Sequence, residues 1–481
     1  MSPVQRCRGC RRWGWHRPAA RRMVTGGAGT PRDRRGRRRQ SSIPALPTAC
    51  LLASTAGSAS LLLASPVATA DVTFPRMLLA LVPLAALVVL EHRSPTMSRR
   101  VVLGVGTGLL VLAVVRPPHG SHDVWSYAMY GRMAAVHHVS PYTHRPAEFL
   151  ADPFLAPVSP GWRSARSVYG PGFTALSTAI MVVAGSSALL ARLGFQAVAA
   201  GAVLGAGAVL FRLGASARTL AAVLLNPLLV VSVANGGHND ALVGLAILLT
   251  AVALHRRRPA VAGFLLAGAV LVKAVAVLPA VAAVLWVWRH HGRRQAATVA
   301  GCLGGAVAVG YAAAGGLAAI APVFAAGARR SRVSVWNLLA GGHLAVLSPM
   351  TRHAGVVAAV VVIGFTVVVV ATRIGEESVA PVLVASLVGY LLLAGYVLPW
   401  YFAWILPLAA IEDASALARV LAAQTVVVLV AYQYQSIRHR DRLDRLLQVG
   451  VAGARVVAVV GALVLLTVAV TTSRRLTKIP S

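Results

Sequence analysis

Residues 116–172 read RPPHGSHDVWSYAMYGRMAAVHHVSPYTHRPAEFLADPFLAPVSPGWRSARSVYGPG. This long polar and aromatic stretch lies between apolar blocks, and it decides the fold. A chain that is apolar on both sides of such a segment reads as an all-α polytopic membrane protein with one large loop, 116–171, after its third hydrophobic segment. Within the loop, Asp123 follows His119 and His122 and precedes Trp125, Tyr127, Tyr130 and Arg132. The run from Val124 looks helical, so Asp123 stands either as its N-cap or as a reactive carboxylate.

Composition agrees with a membrane protein. Of 481 residues, 57% are hydrophobic and 12% charged, and the mean hydropathy is +0.72; a soluble domain carries about 25% charge. The net charge of +33 would suggest nucleic acid on a soluble protein. Here residues 1–40 alone hold thirteen Arg and one Asp. Much of the rest is Arg in short loops between apolar blocks, the pattern of cytoplasmic loops. No nucleic-acid partner is therefore expected.

Residues 1–48 are Arg-, Gly- and Pro-rich without apolar period. They read as a disordered cytoplasmic tail, a transit-like peptide, or an extension upstream of a chain that begins at Met23 or later. Residues 49–472 form one membrane domain, and 473–481 a basic tail. Cys7 and Cys10 have the spacing of half a zinc knuckle, but no second pair follows. No metal site is expected there, nor at His137-His138, which has no carboxylate pair beside it.

Apolar blocks fall at about 49–70, 77–90 and 101–115, and HRSPTMSRR, between the last two, is basic enough to be cytoplasmic. Three crossings from an inside N-terminus put the 116–171 loop outside the cell. The block 172–184 is short and reads as re-entrant, with 188–211 as the true span. The basic loops Phe211–Arg218, His255–Arg258 and Arg289–Arg294 then return inside. Asn235-Gly236-Gly237-His238-Asn239-Asp240 and Lys273 consequently fall outside, beside Asp123. Spans continue at 295–314, 354–372, 379–396, 398–411, 415–434 and 449–471, for about 12–14 crossings. Arg329, Arg330 and Arg332 fall outside against the positive-inside trend. That placement suits either an anion site or an ordinary solvated loop.

The chain has thirteen acidic residues. Outside the tail, the cytoplasmic loops and the ambiguous 435–448 segment remain Asp71, Asp123, Glu148, Asp152 and Asp240. Only Asp123 and Asp240 adjoin apolar block ends with His, Asn or aromatic neighbours, and a carboxylate near the bilayer is costly. A sugar hydroxyl needs a base to act as nucleophile, whereas a lipid-phosphate leaving group needs a cationic cradle and no acid. Asp123 is the candidate base. Arg329, Arg330, Arg332 and Lys273 are the candidate phosphate holders, and Asp240 is a second acid or a helix cap. Trp125, Tyr127, Tyr130, Trp400, Tyr401 and Trp404 read as an interfacial belt in preference to sugar platforms.

HDVWSYAMYGRMAAVHHVSPYTHRP, DPFLAPVSPGWRSARSVYGPG, NPLLVVSVANGGHNDALVGL, SVWNLL and YVLPWYFAWILPL, in this order, resemble the actinobacterial polyprenol-phosphate-mannose-dependent α-(1→6)-mannopyranosyltransferases. The resemblance spans roughly residues 75 to 470 and implies a GT-C-like bundle. It also implies a polyprenyl-phosphate-mannose donor, a growing lipid-linked mannan acceptor of the lipomannan and lipoarabinomannan core, and inverting transfer at the outer face of the plasma membrane. Asp123 matches the acidic residue of the first large external loop. Asn239 and Asp240 match an HND segment and Tyr169, Gly170 and Pro171 a YGP turn. Substrate contacts are expected from His122, Tyr127, Tyr169, His238, Asn239, Trp336 and Asn337. The loop presents a single Asp with His before it and not two adjacent acids, which disfavours a divalent ion, so no cofactor is expected. The competing readings are a lipid-linked saccharide flippase, and the same enzyme type using another sugar such as arabinofuranose.

Overall fold

The structure is a computed structural model that describes residues 45–65, 70–326, 329–339, 349–411, 416–433 and 442–476. The Arg-rich segment before Ala45, residues 434–441 and the side chains of the last ten residues lie outside this description. The regular structure of the described residues is helical, with no strand among them. Seven helices are long and apolar enough to cross a membrane, and shorter apolar helices of 10–17 residues accompany them.

α1 (Ala45–Leu63), α2 (Ala70–Arg93) and α3 (Arg99–Val115) precede the long loop. That loop holds α4 (Asp123–Ala135) and the single turn α5 (Pro160–Arg163), followed by α6 (Pro171–Ala184) and α7 (Ala188–Arg212). α8 (Ala217–Leu224) runs into a π-helix, Leu228–Asn235, ahead of α9 (Asp240–His255) and α10 (Pro259–Val272). α11 (Val277–Ala313) breaks at Gly292, whose φ of 84° interrupts the helix inside the basic RHHGRR segment. The break falls in the basic Arg289–Arg294 loop expected ahead of the span 295–314. α12 (Leu317–Ala326), α13 (Trp336–Leu339), α14 (Pro349–Arg373), α15 (Ala380–Leu393), α16 (Leu406–Ala409), α17 (Ala416–Gln433) and α18 (Arg442–Leu476) complete the chain.

The basic loops meet at one end of the bundle. Arg99 donates to the carbonyl of Phe211, and its guanidinium lies 4.4 Å from that ring. Arg218 reaches His92 at 2.9 Å, and His290 and Trp286 bond the carbonyls of Ile374 and Glu376 at 2.9 and 2.8 Å. At the opposite end, the orphan carbonyls that close α3 are collected by side chains from distant helices. Gln196 donates to Ala113 and Arg116, Asn235 to Ala113, Arg116 and Pro117, and Arg192 to Val114, Val115 and Arg116. These bonds register α7 and the π-helix against the start of the long loop.

α6 begins and ends at this second end. Gly170 N–H donates to Val272 at the close of α10, and Gly185, after the last turn of α6, accepts from Arg132. The helix therefore does not carry the chain to the basic end. The expected span 398–411 is not a continuous helix. Pro399–Trp404 is a 3-10 segment and α16 a single turn. Trp404 touches the start of α9, while Leu417, just beyond, sits beside Arg373 at the basic end. The segment runs in two pieces with almost every residue buried, the condition under which broken backbone is tolerated at membrane depth.

Candidate active site

α4 starts at Asp123, and its N-cap residue, His122, makes no side-chain cap. The capping reading of Asp123 is thus not what the geometry shows. Its backbone N–H donates to the hydroxyl oxygen of Ser121 at 3.1 Å, and its carboxylate faces His238, with Oδ2 3.5 Å from Nδ1. The Asp123 side chain keeps 16% of its surface, so it reaches the space at this end of the bundle. Burial pushes the carboxyl up to about 6; the ammonium of Lys273 opposes that rise and the charge of Asp240 adds to it. Ser121 and His122 pull it modestly down. A carboxylate with this affinity for protons is suited to act as a base near neutral pH. The other end of α4 is clamped: Arg132 donates to both oxygens of Asp152 at 2.9 and 2.8 Å, and His137 lies 2.7 Å from Oδ2.

The ANGGHND segment is built on an uncommon local structure. The π-helix ends at Asn235, and Gly237 takes φ +64° to turn the chain into α9. A side chain at Gly237 would meet Val124 Cγ2 at 2.6 Å, so its bareness lets the turn press on the first turn of α4. The turn delivers His238 onto the face of Trp400, with ring centroids 3.9 Å apart, and brings Nδ1 within 3.4 Å of the Tyr127 hydroxyl. π-segments of this kind are frequent at functional sites. His238 Nε2, both polar atoms of Asn239 and Asp240 Oδ2 are buried without a protein hydrogen-bond partner.

Asp240 is fully buried and does not cap α9. Its Oδ1 accepts from Lys273 Nζ at 2.7 Å and from the indole N–H of Trp404 at 2.5 Å. Lys273 occupies the extended break between α10 and α11. Its ammonium sits 4.4 Å from the Tyr401 ring centre and 5.3 Å from that of Trp404, and these two rings stack at 4.6 Å. Trp400, Tyr401 and Trp404 are 5%, 8% and 1% exposed, and Tyr127 and Tyr130 1% each. They are not an interfacial belt; three of them wall the Asp240–Lys273 pair and His238. The signal lay in YVLPWYFAWILPL, where Pro399 and Pro407 break the helix and bracket aromatics that a lipid-facing span would not carry so densely.

Arg329 reaches from its loop onto the long loop: its guanidinium stacks 3.6 Å over Trp162 and donates to Gly161 at 3.2 Å. The Arg332 carbonyl accepts from Asn337 and Arg455. Trp336 donates to Leu393 and the backbone of Ser331 to Gly395, so Trp336 and Ser331 anchor the 329–337 loop on the end of α15, while Asn337 braces the loop internally. His122 bonds the Pro157 carbonyl, and Tyr169 packs edge-on against Tyr127. Among the described residues no three His, Cys, Asp or Glu groups gather as metal ligands. His137 is taken by Asp152.

With this geometry in view, the similarities of the chain are informative. Residues 51–290 match the family model described as Alpha-(1->6)-mannopyranosyltransferase, N-terminal domain. Over 190 residues the chain is 30% identical to Alpha-(1->6)-mannopyranosyltransferase A of Corynebacterium glutamicum, a stretch covering 38% of this chain and 38% of that protein. The family match contains Asp123, His238, Asn239, Asp240 and Lys273; Arg329 and the PWYFAW segment lie beyond it.

Proposed function

We propose a reaction for a chain that belongs, through its N-terminal domain, to the alpha-(1->6)-mannopyranosyltransferase family: inverting transfer of mannose from polyprenyl-phosphate-mannose to a growing lipid-linked α-(1→6)-mannan. The acceptor is of the lipomannan and lipoarabinomannan core type, and the site opens at the outer face of the plasma membrane. An acceptor hydroxyl oxygen attacks the anomeric carbon of the β-linked donor from the opposite face and forms the α-bond. Its proton passes to the Asp123 carboxylate. The anomeric carbon–oxygen bond breaks, and the electron pair leaves on polyprenyl phosphate. That leaving group is already a stable anion, so it requires cationic stabilisation by Lys273 and Arg329, not a proton.

One observation carries this reading. Among the described residues of the loop and the ANGGHND turn, Asp123 is the carboxylate that is partly exposed, raised to about 6 and not bound in an Arg or Lys ion pair. Asp152 and Asp240, by contrast, are each committed to a cation. The test is Asp123→Asn in membranes supplied with radiolabelled polyprenyl-phosphate-mannose, followed by linkage analysis of the product. Loss of transfer with normal membrane insertion supports the base; full activity removes it. Translocation of lipid-linked sugar without a new glycosidic bond would return the flippase reading. The outer-face assignment is tested by Leu150→Cys, at a residue 82% exposed on the loop. Whole cells should label it with a membrane-impermeant maleimide.

A further inference from the structure

Asp240 and Lys273 differ in how they meet the site. The Asp240 side chain has no exposed surface, whereas that of Lys273 keeps 16%. The carboxylate lies behind the ammonium. Three contacts fix Lys273 Nζ: the 2.7 Å bond to Asp240 Oδ1 and the faces of Tyr401 and Trp404. Trp404 in turn donates to the same Oδ1 and stacks on Tyr401, so carboxylate, indole and phenol form one rigid seat. The seat is set in the backbone as well. Gly244, one turn into α9, lies so close to the Ala403 carbonyl that a Cβ would collide with it, and Lys273 is in extended conformation between two helices. A flexible lysine stem would otherwise spread its charge over several ångströms.

We propose that Asp240 is a positioning residue that aims Lys273, and that the lysine, not the aspartate, meets the donor phosphate. The inference rests on the transferase reading above. Asp240 takes no proton from acceptor or donor; its carboxylate and the Trp404 indole hold the ammonium where the departing phosphate needs it. Replacing Asp240 then acts only through Lys273.

The experiment is a double-mutant cycle on the full-length enzyme in native membranes. Asp240→Asn, Lys273→Gln and the double variant are assayed for transfer from polyprenyl-phosphate-mannose with donor and acceptor varied separately. Each single change should lower kcat/KM for the donor by about tenfold or more, leave the acceptor KM within about twofold, and the double variant should be no slower than Lys273→Gln alone. A double variant about tenfold slower than Lys273→Gln, or an acceptor KM that rises with Asp240→Asn, would overturn the proposal by giving Asp240 a direct role. If Asp240→Asn alone does not insert stably, Lys273→Gln against the double variant still decides, since neither contains the pair. Asp123→Asn is run beside them: its full activity would remove the transferase base while leaving the cycle interpretable.

Discussion

The carboxylate of Asp123 meets Nδ1 of His238 at 3.5 Å, across the junction between the first turn of α4 and the turn that follows the π-helix. The imidazole is fully buried and lies flat on Trp400 at 3.9 Å, so its orientation is set by packing. Nδ1 also faces the Tyr127 hydroxyl at 3.4 Å, and both contacts are long for hydrogen bonds. They keep the base aimed without tying it down.

From this follows an expectation for His238→Phe, which preserves the stack on Trp400 and removes the nitrogen. Transfer should fall about fivefold, the size of one lost neutral hydrogen bond of roughly 1 kcal/mol, while thermal stability in detergent changes little. A variant with undiminished transfer would reduce His238 to packing.

The pH dependence has a definite sign. Asp123 must be ionised to accept a proton, and its affinity is raised to about 6 by burial, so kcat/KM should climb through pH 6 and fall about tenfold for each unit below it. Stability runs the other way for this group. Because the folded state holds the proton more tightly than the ordinary value of 3.8, its contribution to stability grows as pH falls from about 6 to about 4. Thermal unfolding of wild type against Asp123→Asn over that window measures the slope.

How much of this could be read before the structure depended on whether a residue's role is local. Asp123 stood out because acids are scarce and it leads a helical run; α4 begins at that residue. The span boundaries at Gly292 and at 184–188 were likewise written in basic and small residues. The Asp240–Lys273 pair was not legible as a pair, since the partners lie 33 positions apart, one at the start of α9 and the other in the break after α10. Nor was the π-helix, whose hydrogen-bond register leaves no residue signature. The PWYFAW aromatics were misread because an aromatic run in an apolar chain fits a membrane interface as well as a buried wall. Asp152 was set aside for lacking neighbours in sequence, while its partners Arg132 and His137 arrive from the far side of two turns.

Asp152 carries the clearest stability prediction. It is buried with Arg132 and His137, and Arg132 also lies 4.7 Å over the Phe154 ring. Burial alone would raise its carboxyl, but the Phe154 N–H, His137 and Arg132 together hold it below the ordinary value. Its stabilisation is therefore present above that ordinary value and lost as pH falls through the lowered one. Asp152→Asn strands a buried guanidinium and should cost about 3–5 kcal/mol, whereas Asp152→Asn combined with Arg132→Met should recover much of it. Thermal midpoints in detergent report both, and an Asp152→Asn variant that melts at the wild-type midpoint would show that the pair does not hold the loop.

The last prediction concerns backbone at Gly237. Its φ of +64° costs a side-chain-bearing residue about 1–2 kcal/mol, and a methyl there would lie 2.6 Å from Val124 Cγ2 and 3.4 Å from Phe195 Cβ. Val124 adjoins Asp123, so relief of the clash moves the first turn of α4 away from His238. Gly237→Ala should destabilise by roughly 1–3 kcal/mol, the range of overpacking, and lower transfer further than that loss explains, because the base shifts relative to the anomeric carbon. Gly161→Ala is the control: the added methyl meets nothing within 4 Å, and the carbonyl that Arg329 uses is kept. Transfer rates normalised to folded protein separate the two effects, and a Gly237→Ala enzyme that loses stability but keeps its normalised rate would show that the turn supports the fold without setting the base.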